Sequence, residues 1–411
     1  MKRLIIIAFG ACIYFHAPGQ KNNLDYFINQ AIANSPLLKD YQNQVLSFSL
    51  DSQIIRASLK PQVNGISNNS YAPIIKGWGY DEAISNGQQI SALIQVSKSF
   101  LSSKTIASQI ANLQLQSQAI ANNVKLSEQD VIKTITDQYI IAYGDQLQLD
   151  FNYDINNLLK KEDSLLKKLT QDNVFKQNEY LAFVVTLQQQ LLATSQLETQ
   201  YNFDYAALNY LAGIVDTATA SLQDPQLNSK TFGDFTSSIF YRQFVLDSLK
   251  LANDRMLVDL SYRPKINAYG DAGYNSSLTY KGYRNFGTSM GINLTIPIYD
   301  GKQKKLQYAK IDIQDRTRVF KRDFFIQQRN QQILQLMQQL NSTDRLIDQI
   351  NKQIKYTETL IRVNERLLAT GDIRLTDFIL TLNNYFNAKN LVTQNYITHL
   401  KIVNQLNYWG R

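Results

Sequence analysis

Residues 369–380 read ATGDIRLTDFIL, and this stretch reverses the chain. Gly371 can take the left-handed conformation that closes one helix, and Thr376 or Asp377 can accept backbone N–H groups to cap the next. The segment is therefore the tip of a helical hairpin. Upstream of it, Val319, Ile326, Ile333, Leu340, Ile347, Ile354, Ile361 and Leu368 recur every seventh residue, with mostly Gln, Asn, Lys, Arg and Asp between them. That is a coiled-coil seam. On a straight helix a seven-residue repeat drifts by about 20° per heptad, so the helix must wind around a lateral partner. From Lys302 to Leu368 it would run on the order of 100 Å at about 1.5 Å per residue, far beyond a globular helix.

The turn occurs twice. At an offset of 198, Asn173 stands opposite Gly371, Glu179 opposite Asp377, Tyr180 opposite Phe378 and Leu181 opposite Ile379; Leu208-Asn209-Tyr210 returns as Leu406-Asn407-Tyr408. Asn is the next-best residue for a left-handed cap. Earlier segments match at an offset of 203: Leu46 with Leu249, Asp51 with Asp254, Ser58 with Ser261, Pro61 with Pro264, Asn64 with Asn267 and Tyr71 with Tyr274. A period near 200 is too long for a solenoid, so the chain reads as a tandem duplication: a first repeat over 20–213, a connector over 214–237 and a second repeat over 238–411.

With 411 residues and a formal charge of +8, the chain could suggest a nucleic-acid binder, but Lys and Arg alternate with Asp and Glu along the helices, which reads as a solvated surface. Residues 1–19 have a Lys2-Arg3 start, an apolar run from Leu4 to Phe15, and Ala17 and Gly19 spaced for signal-peptidase cleavage, so the mature chain is expected to begin near Gln20. Cys12 follows a poor lipobox, Phe9-Gly10-Ala11, and would leave with the signal, giving an exported protein without thiols. No later segment has the roughly 18 to 20 consecutive apolar residues of a membrane helix. If the chain crosses a membrane, strands must do so.

Leu24 to about Leu59 reads as one helix, followed by a strand from Gln62 to Pro73 and a turn-rich loop from Ile74 to Gly87. From Gln88 the period becomes two: Ile90, Ala92, Ile94 and Val96 alternate with Gln89, Ser91, Gln95 and Ser97. The second repeat is clearer. Met290, Ile292, Leu294 and Ile296, continued by Ile298, alternate with Ser289, Gly291, Asn293, Thr295 and Pro297 on a strand expected over Asn285–Ile298. One face is oily and the other wet. Tyr71, Trp78, Tyr80, Tyr269, Tyr274, Tyr280, Tyr283 and Phe286 crowd the strand ends, as in the aromatic girdles of a membrane barrel. The oily side is expected to face lipid, with Ile292 near the midplane. A soluble sandwich with one buried face would share the alternation. Long helices are expected over Leu101–Thr170 and Lys302–Leu368, with return helices to about Leu211 and Tyr408.

Only His399 survives signal removal, without a metal-ligand cluster around it. The sequence has no phosphate loop, nucleophile elbow or zinc-protease motif, and Asp312 and Asp315 lie on a charged helix face. There is no case for an enzyme, a cofactor or a resident metal.

The order of helix, two strands, very long helix, Asn/Gly turn and return helix ending in Leu-Asn-Tyr, all repeated, resembles the TolC-like outer-membrane efflux family. The duplicated Leu-Asn-Tyr ends, PIYDG at 297–301, and the turn with Gly371 and Asp377 carry the likeness. Pro297 removes a ladder donor, and Asp300 and Gly301 permit the bend from strand into helix; the matching Ser99–Ser103 lacks both proline and glycine. The resemblance implies a mainly α fold with a membrane β-barrel part, made by a homotrimer in which four strands per chain close into twelve, and a helical tunnel reaching into the periplasm of a Gram-negative cell.

The function implied is a passive outer-membrane exit duct for small molecules, drugs or metal ions, working with a periplasmic adaptor and an inner-membrane pump. A duct for one-step protein secretion and a soluble periplasmic scaffold are the alternatives. The tips are expected to dock the adaptor through Asn173, Phe175, Lys176, Gly371, Arg374 and Leu375. Glu179 and Asp377 would be entrance carboxylates, with Asp377 repeated three times around the axis and attracting multivalent cations.

Overall fold

The computed structural model describes residues 23–81, 87–216, 218–229, 233–278 and 281–410. The expected signal peptide with Cys12, the start near Gln20, and Tyr280 lie outside them. The elements run α1 (Leu24–Asn34), α2 (Pro36–Ser58), β1 (Gln62–Tyr71), β2 (Gln88–Phe100), α3 (Ser103–Gln171), α4 (Gln177–Ala212), α5 (Ile239–Ser261), β3 (Lys265–Ser276), β4 (Phe286–Thr295), α6 (Gln303–Thr370) and α7 (Leu375–Trp409). Helix, two strands, long helix and return helix thus occur twice. The single helix expected over 24–59 is two. Pro36 lacks an N–H and holds Ser35 extended, with ψ at 115°, so the helix restarts there. The β1 strand stops at Tyr71 and β4 at Thr295, short of the expected Pro73 and Ile298.

The chain divides into two compact units, each drawing on both repeats: Met1–Pro36, Ser127–Gly233 and Arg329–Arg411 form one, and Leu37–Leu126 with Asp234–Gln328 the other.

In the first unit the heptad seam finds its partner in α7. Ile333 and Leu336 pack on Ile402 and Leu406, Ile350 and Ile354 on Ala388, and Ile361 and Leu368 on Leu375, Phe378 and Leu382. Those contacts descend along α7 as they ascend along α6, which is an antiparallel hairpin. A second seam three residues on includes buried Arg329, Leu336, Ile350 and Asn364. There Asn364 Nδ2 donates to Thr381 Oγ1 at 2.9 Å, a buried polar pair of the kind that fixes coiled-coil register. The connector between the repeats is tied across this unit: Tyr139 Oη donates to Gln223 O at 2.6 Å, Tyr201 Oη to Ala220 O at 2.7 Å, and Leu222 N–H to Gln146 Oε1 at 2.6 Å.

This tie explains the duplicated Leu-Asn-Tyr. Leu208 and Leu406 are buried, Asn209 Nδ2 donates to Asp216 O at 2.9 Å, and Asn407 Nδ2 to Asn228 O at 3.0 Å. Each copy holds a carbonyl of the connector. The tyrosines diverge, Tyr210 being exposed while Tyr408 Oη donates to Asp130 at 2.7 Å.

In the second unit the four strands form one antiparallel sheet in the order β1-β2-β3-β4. Beside it Ser108 and Asn253 exchange hydrogen bonds at 2.8 and 3.1 Å between α3 and α5, and Phe235, Phe240 and Phe244 surround Phe325 with ring centroids 5.9–6.0 Å apart.

Candidate functional site

The two hairpin tips are built alike, bond for bond. Asn173 and Gly371 have φ of 60° and 78°. Around Asn173, Val174 N–H reaches Leu169 O at 2.9 Å and Asn173 N–H reaches Thr170 O at 3.1 Å; around Gly371, Asp372 N–H reaches Leu367 O at 2.9 Å and Gly371 N–H reaches Leu368 O at 3.2 Å. Both are Schellman closures. They differ in surroundings, because a Cβ on Gly371 would lie 2.7 Å from Val174 Cγ1 of the other tip, whereas Asn173 is exposed. We expect Gly371→Ala to cost about 1–3 kcal/mol by strain and overpacking, with part recovered by adding Val174→Ala. Asn173→Gly should stay within about 1 kcal/mol. Thermal melts of the detergent-solubilised protein would check all three, and equal costs at the two turns would contradict the packing difference.

The caps differ from expectation. Neither Thr376 nor Asp377 opens α7: the cap positions are Lys176 and Arg374, both extended and without a side-chain cap bond. Glu179 Oε2 accepts the Lys176 N–H at 3.2 Å, whereas Asp377 Oδ2 accepts from the Arg374 guanidinium Nε at 3.0 Å. The carboxylate expected at an entrance is thus ion-paired with a side chain that is itself 79% exposed. Phe175 and Leu375, expected to dock a partner, are buried in the tip's own core with Leu166, Phe183, Leu368 and Phe378. They hold the tips together, leaving Asn173, Lys176 and Arg374 at the surface.

The sheet register separates two faces. Directly paired residues share a face, so Val63, Gly65 and Tyr71 of β1 lie with Ile90, Ala92, Ile94, Val96 and Phe100 of β2, then Ile266, Ala268, Ala272 and Tyr274 of β3, then Phe286, Met290, Ile292 and Leu294 of β4. Asn64, Asn68, Gln89, Ser91, Gln95, Asn267, Asp271, Ser289 and Asn293 lie opposite. Met290 is 89% and Ile292 75% exposed. Three expectations change. Ile296 lies past the last strand residue. Ile292 is near the end of β4, so Met290 and Ile94 occupy the middle of their strands. Tyr269 belongs to the polar face opposite Gly291, where a Cβ on Gly291 would lie 2.7 Å from its ring.

The bend after β4 is held by Asp300, whose carboxylate accepts the Lys302 N–H at 2.9 Å and the Lys304 N–H at 2.8 Å. These backbone bonds, led by that of Lys304, and the Tyr262 hydroxyl hold Asp300 below the usual carboxylate range. Gly301 and Lys302 are left-handed at φ 64° and 72°, and Pro297 lies between the end of β4 and the start of α6. In the first repeat Ser102 Oγ takes the capping role, accepting the Thr105 N–H at 3.2 Å.

One cluster was not read from the sequence. Asp204 accepts from Gln138 at 3.1 Å and from Gln200, and Asp145 lies near it with its Oδ2 buried and without a hydrogen-bond partner among the described residues. Burial first, then Asp204, pushes Asp145 up to about 7, against the nearby charge of Lys401. The available signal was that Asp204 falls three residues after Tyr201 and four before Leu208, on an apolar face. A carboxyl raised from about 4 in the unfolded chain keeps its proton preferentially when folded, so stability falls as pH rises from about 4 to 7. Asp145→Asn should flatten that slope in melts run across the interval; an unchanged slope would reject the assignment.

No family model and no curated sequence matches the chain. Solved structures do. CusC, studied for the conformational changes of folding and transmembrane channel formation, is similar with a TM-score of 0.75 and 11% identity over 94% of this chain and 92% of that one. The outer membrane protein VceC from Vibrio cholerae gives 0.74 and 12% over 94% and 96%, and the open state of the Neisseria gonorrhoeae MtrE outer membrane channel 0.72 and 12% over 94% and 88%. The chain therefore has the fold of these TolC-like outer-membrane channels.

Proposed function

We propose that this protein is the outer-membrane exit duct of an efflux system, a homotrimer whose three four-stranded sheets join into a twelve-stranded barrel continued by a helical tunnel in the periplasm. The observation that carries this reading is the register of the sheet. It lines up an exposed, mainly apolar face across four strands, interrupted by Ser67, Asn69, Lys98 and Thr288, with mostly polar residues behind it, while β1 and β4 each keep one unpaired edge. In lipid an open edge leaves backbone groups unsatisfied, and closure with neighbouring copies removes it. The relatives in fold are outer-membrane channels, which supports the same setting here.

The partners follow as part of the proposal: a periplasmic adaptor at the tips and an inner-membrane pump supplying energy, with the duct passive toward small molecules or ions. Arg374 and Lys176 are the exposed cationic positions of the tips and the adaptor contacts to test. Arg374→Glu should reduce adaptor crosslinking and efflux, while unchanged values in both would remove Arg374 from the contact. Asp377→Asn should retain trimers, and Arg374→Gln should expose the carboxylate and increase channel block by multivalent cations. Block indifferent to both substitutions would leave the pair a local helix-end contact.

Cell fractionation with planar-bilayer recording tests the whole reading. Outer-membrane trimers that dissociate on heating and conduct ions are expected. A soluble periplasmic monomer would favour the scaffold reading and end this one.

A further inference from the structure

The end of the sheet where strands meet helices carries most of the chain's excess positive charge. Within residues 56–62, 97–105, 259–266 and 295–306 stand Arg56, Lys60, Lys98, Lys104, Arg263, Lys265, Lys302, Lys304 and Lys305, against only Asp259 and Asp300. The register gathers them at one end, pairing Gln62 with Ser97, Phe100 with Ile266, and Lys265 with Thr295.

Both acids are already engaged. Asp259 takes Lys304 Nζ at 2.9 Å and the Tyr308 hydroxyl, and Asp300 caps α6. Lys60, Lys98, Lys104, Arg263, Lys302 and Lys305 are exposed, and none holds an ion pair among the described residues. By contrast, the hairpin-loop end, over 72–87 and 277–285, sets Lys76, Lys281 and Arg284 against Asp81 and Glu82.

Lys98 links this charge to the apolar face. It pairs with Ala268 in the row of Ile292, so it projects from the oily side. Its Nζ lies 5.4 Å from the centre of the Phe100 ring, two residues nearer the strand end. A lysine on an apolar surface that leans along an aromatic ring toward the strand end is snorkelling.

We propose that this collar binds the headgroups of anionic phospholipids in the leaflet at the strand–helix end, with Lys98, Arg263, Lys302 and Lys305 as the contacts nearest the apolar band. The inference rests on the reading that the sheet spans a bilayer. Continuity between the cations and the apolar face favours lipid over an acidic protein, which would need no lysine on the oily side.

The test uses the full-length protein reconstituted into phosphatidylcholine vesicles with a trace of spin-labelled phosphatidylglycerol or spin-labelled phosphatidylcholine. Each surface cation is worth on the order of a fivefold effect, so the wild type should prefer the anionic probe by about fivefold or more. The combination Lys98→Gln, Arg263→Gln, Lys302→Gln and Lys305→Gln should bring that preference close to unity. About 1 M salt, where the screening length falls to about 3 Å, should do the same to the wild type. Lys76→Gln with Arg284→Gln at the loop end should leave the preference intact. Incorporation without a preference, a preference that survives the fourfold substitution, or one abolished by the loop-end pair would each overturn the proposal while leaving the duct reading standing. Failure of the wild type to enter vesicles would remove the membrane reading itself, and this inference with it.

Discussion

Ile94→Lys should cost about 2–4 kcal/mol of membrane stability and abolish most of the heat-resistant trimer, the depth-dependent effect expected of a cation at the midplane of a barrel's lipid face. Ile94 stands midway along β2, opposite Gly65 and Ala272, with no larger neighbour in its row to shield it. Met290→Lys, midway along β4, should behave similarly. Ile292→Lys should be milder because that position is nearer the strand end, where cost falls to about 0–1 kcal/mol. Gln95→Lys and Asn293→Lys, on the polar face, should leave trimers largely intact. Trimer yield on unheated gels and unfolding in vesicles would measure the series. Equal losses at Ile94 and Gln95 would contradict the assigned faces.

Phe378→Ala should be the most damaging single change at the tips, at about 3–5 kcal/mol. Phe378 is fully buried among Phe175, Phe183, Leu368, Leu375 and Leu382, drawn from three helices and the turn of the first tip, so its removal leaves a cavity that none of them fills alone. Two residues on, Leu380 is 60% exposed, and Leu380→Ala should stay within about 0.5 kcal/mol. Denaturant unfolding with a reporter in α7 would separate the two. A Phe378→Ala protein as stable as Leu380→Ala would mean that the tips are not held by this core.

The long helices, their tips and the two-faced strands were legible because each rests on local periodicity: seven for α6, two for β2 and β4, and a left-handed residue at each turn. Chain reversals were legible for the same reason, since Asn173 and Gly371 declare a backbone conformation. What the sequence did not disclose depends on neighbours. Phe175 and Leu375 look like exposed tip residues until the second tip covers them. Asp377 looks like a cap until the Arg374 guanidinium is placed beside it, and Tyr269 looks like a girdle residue until register sets it over Gly291. The Asp145–Asp204 pair joins residues 59 positions apart, which no local pattern brings together. Pro36 is the opposite case, a local signal that does break the helix, although the apolar periodicity across 24–59 reads as one segment.

The proposed duct depends on three sheets closing into one barrel, and crosslinking between their free edges probes that closure. Asn64→Cys in β1 would be combined in turn with Thr295→Cys, Asn293→Cys or Ser289→Cys in β4, because a disulfide requires Cα atoms within about 7 Å and the register between chains is to be found. At the matching register, oxidation in intact outer membranes should yield a covalent trimer that survives boiling and returns to a single chain on reduction. Unlinked monomers at every register, from protein whose sheet is shown to be folded, would contradict the account.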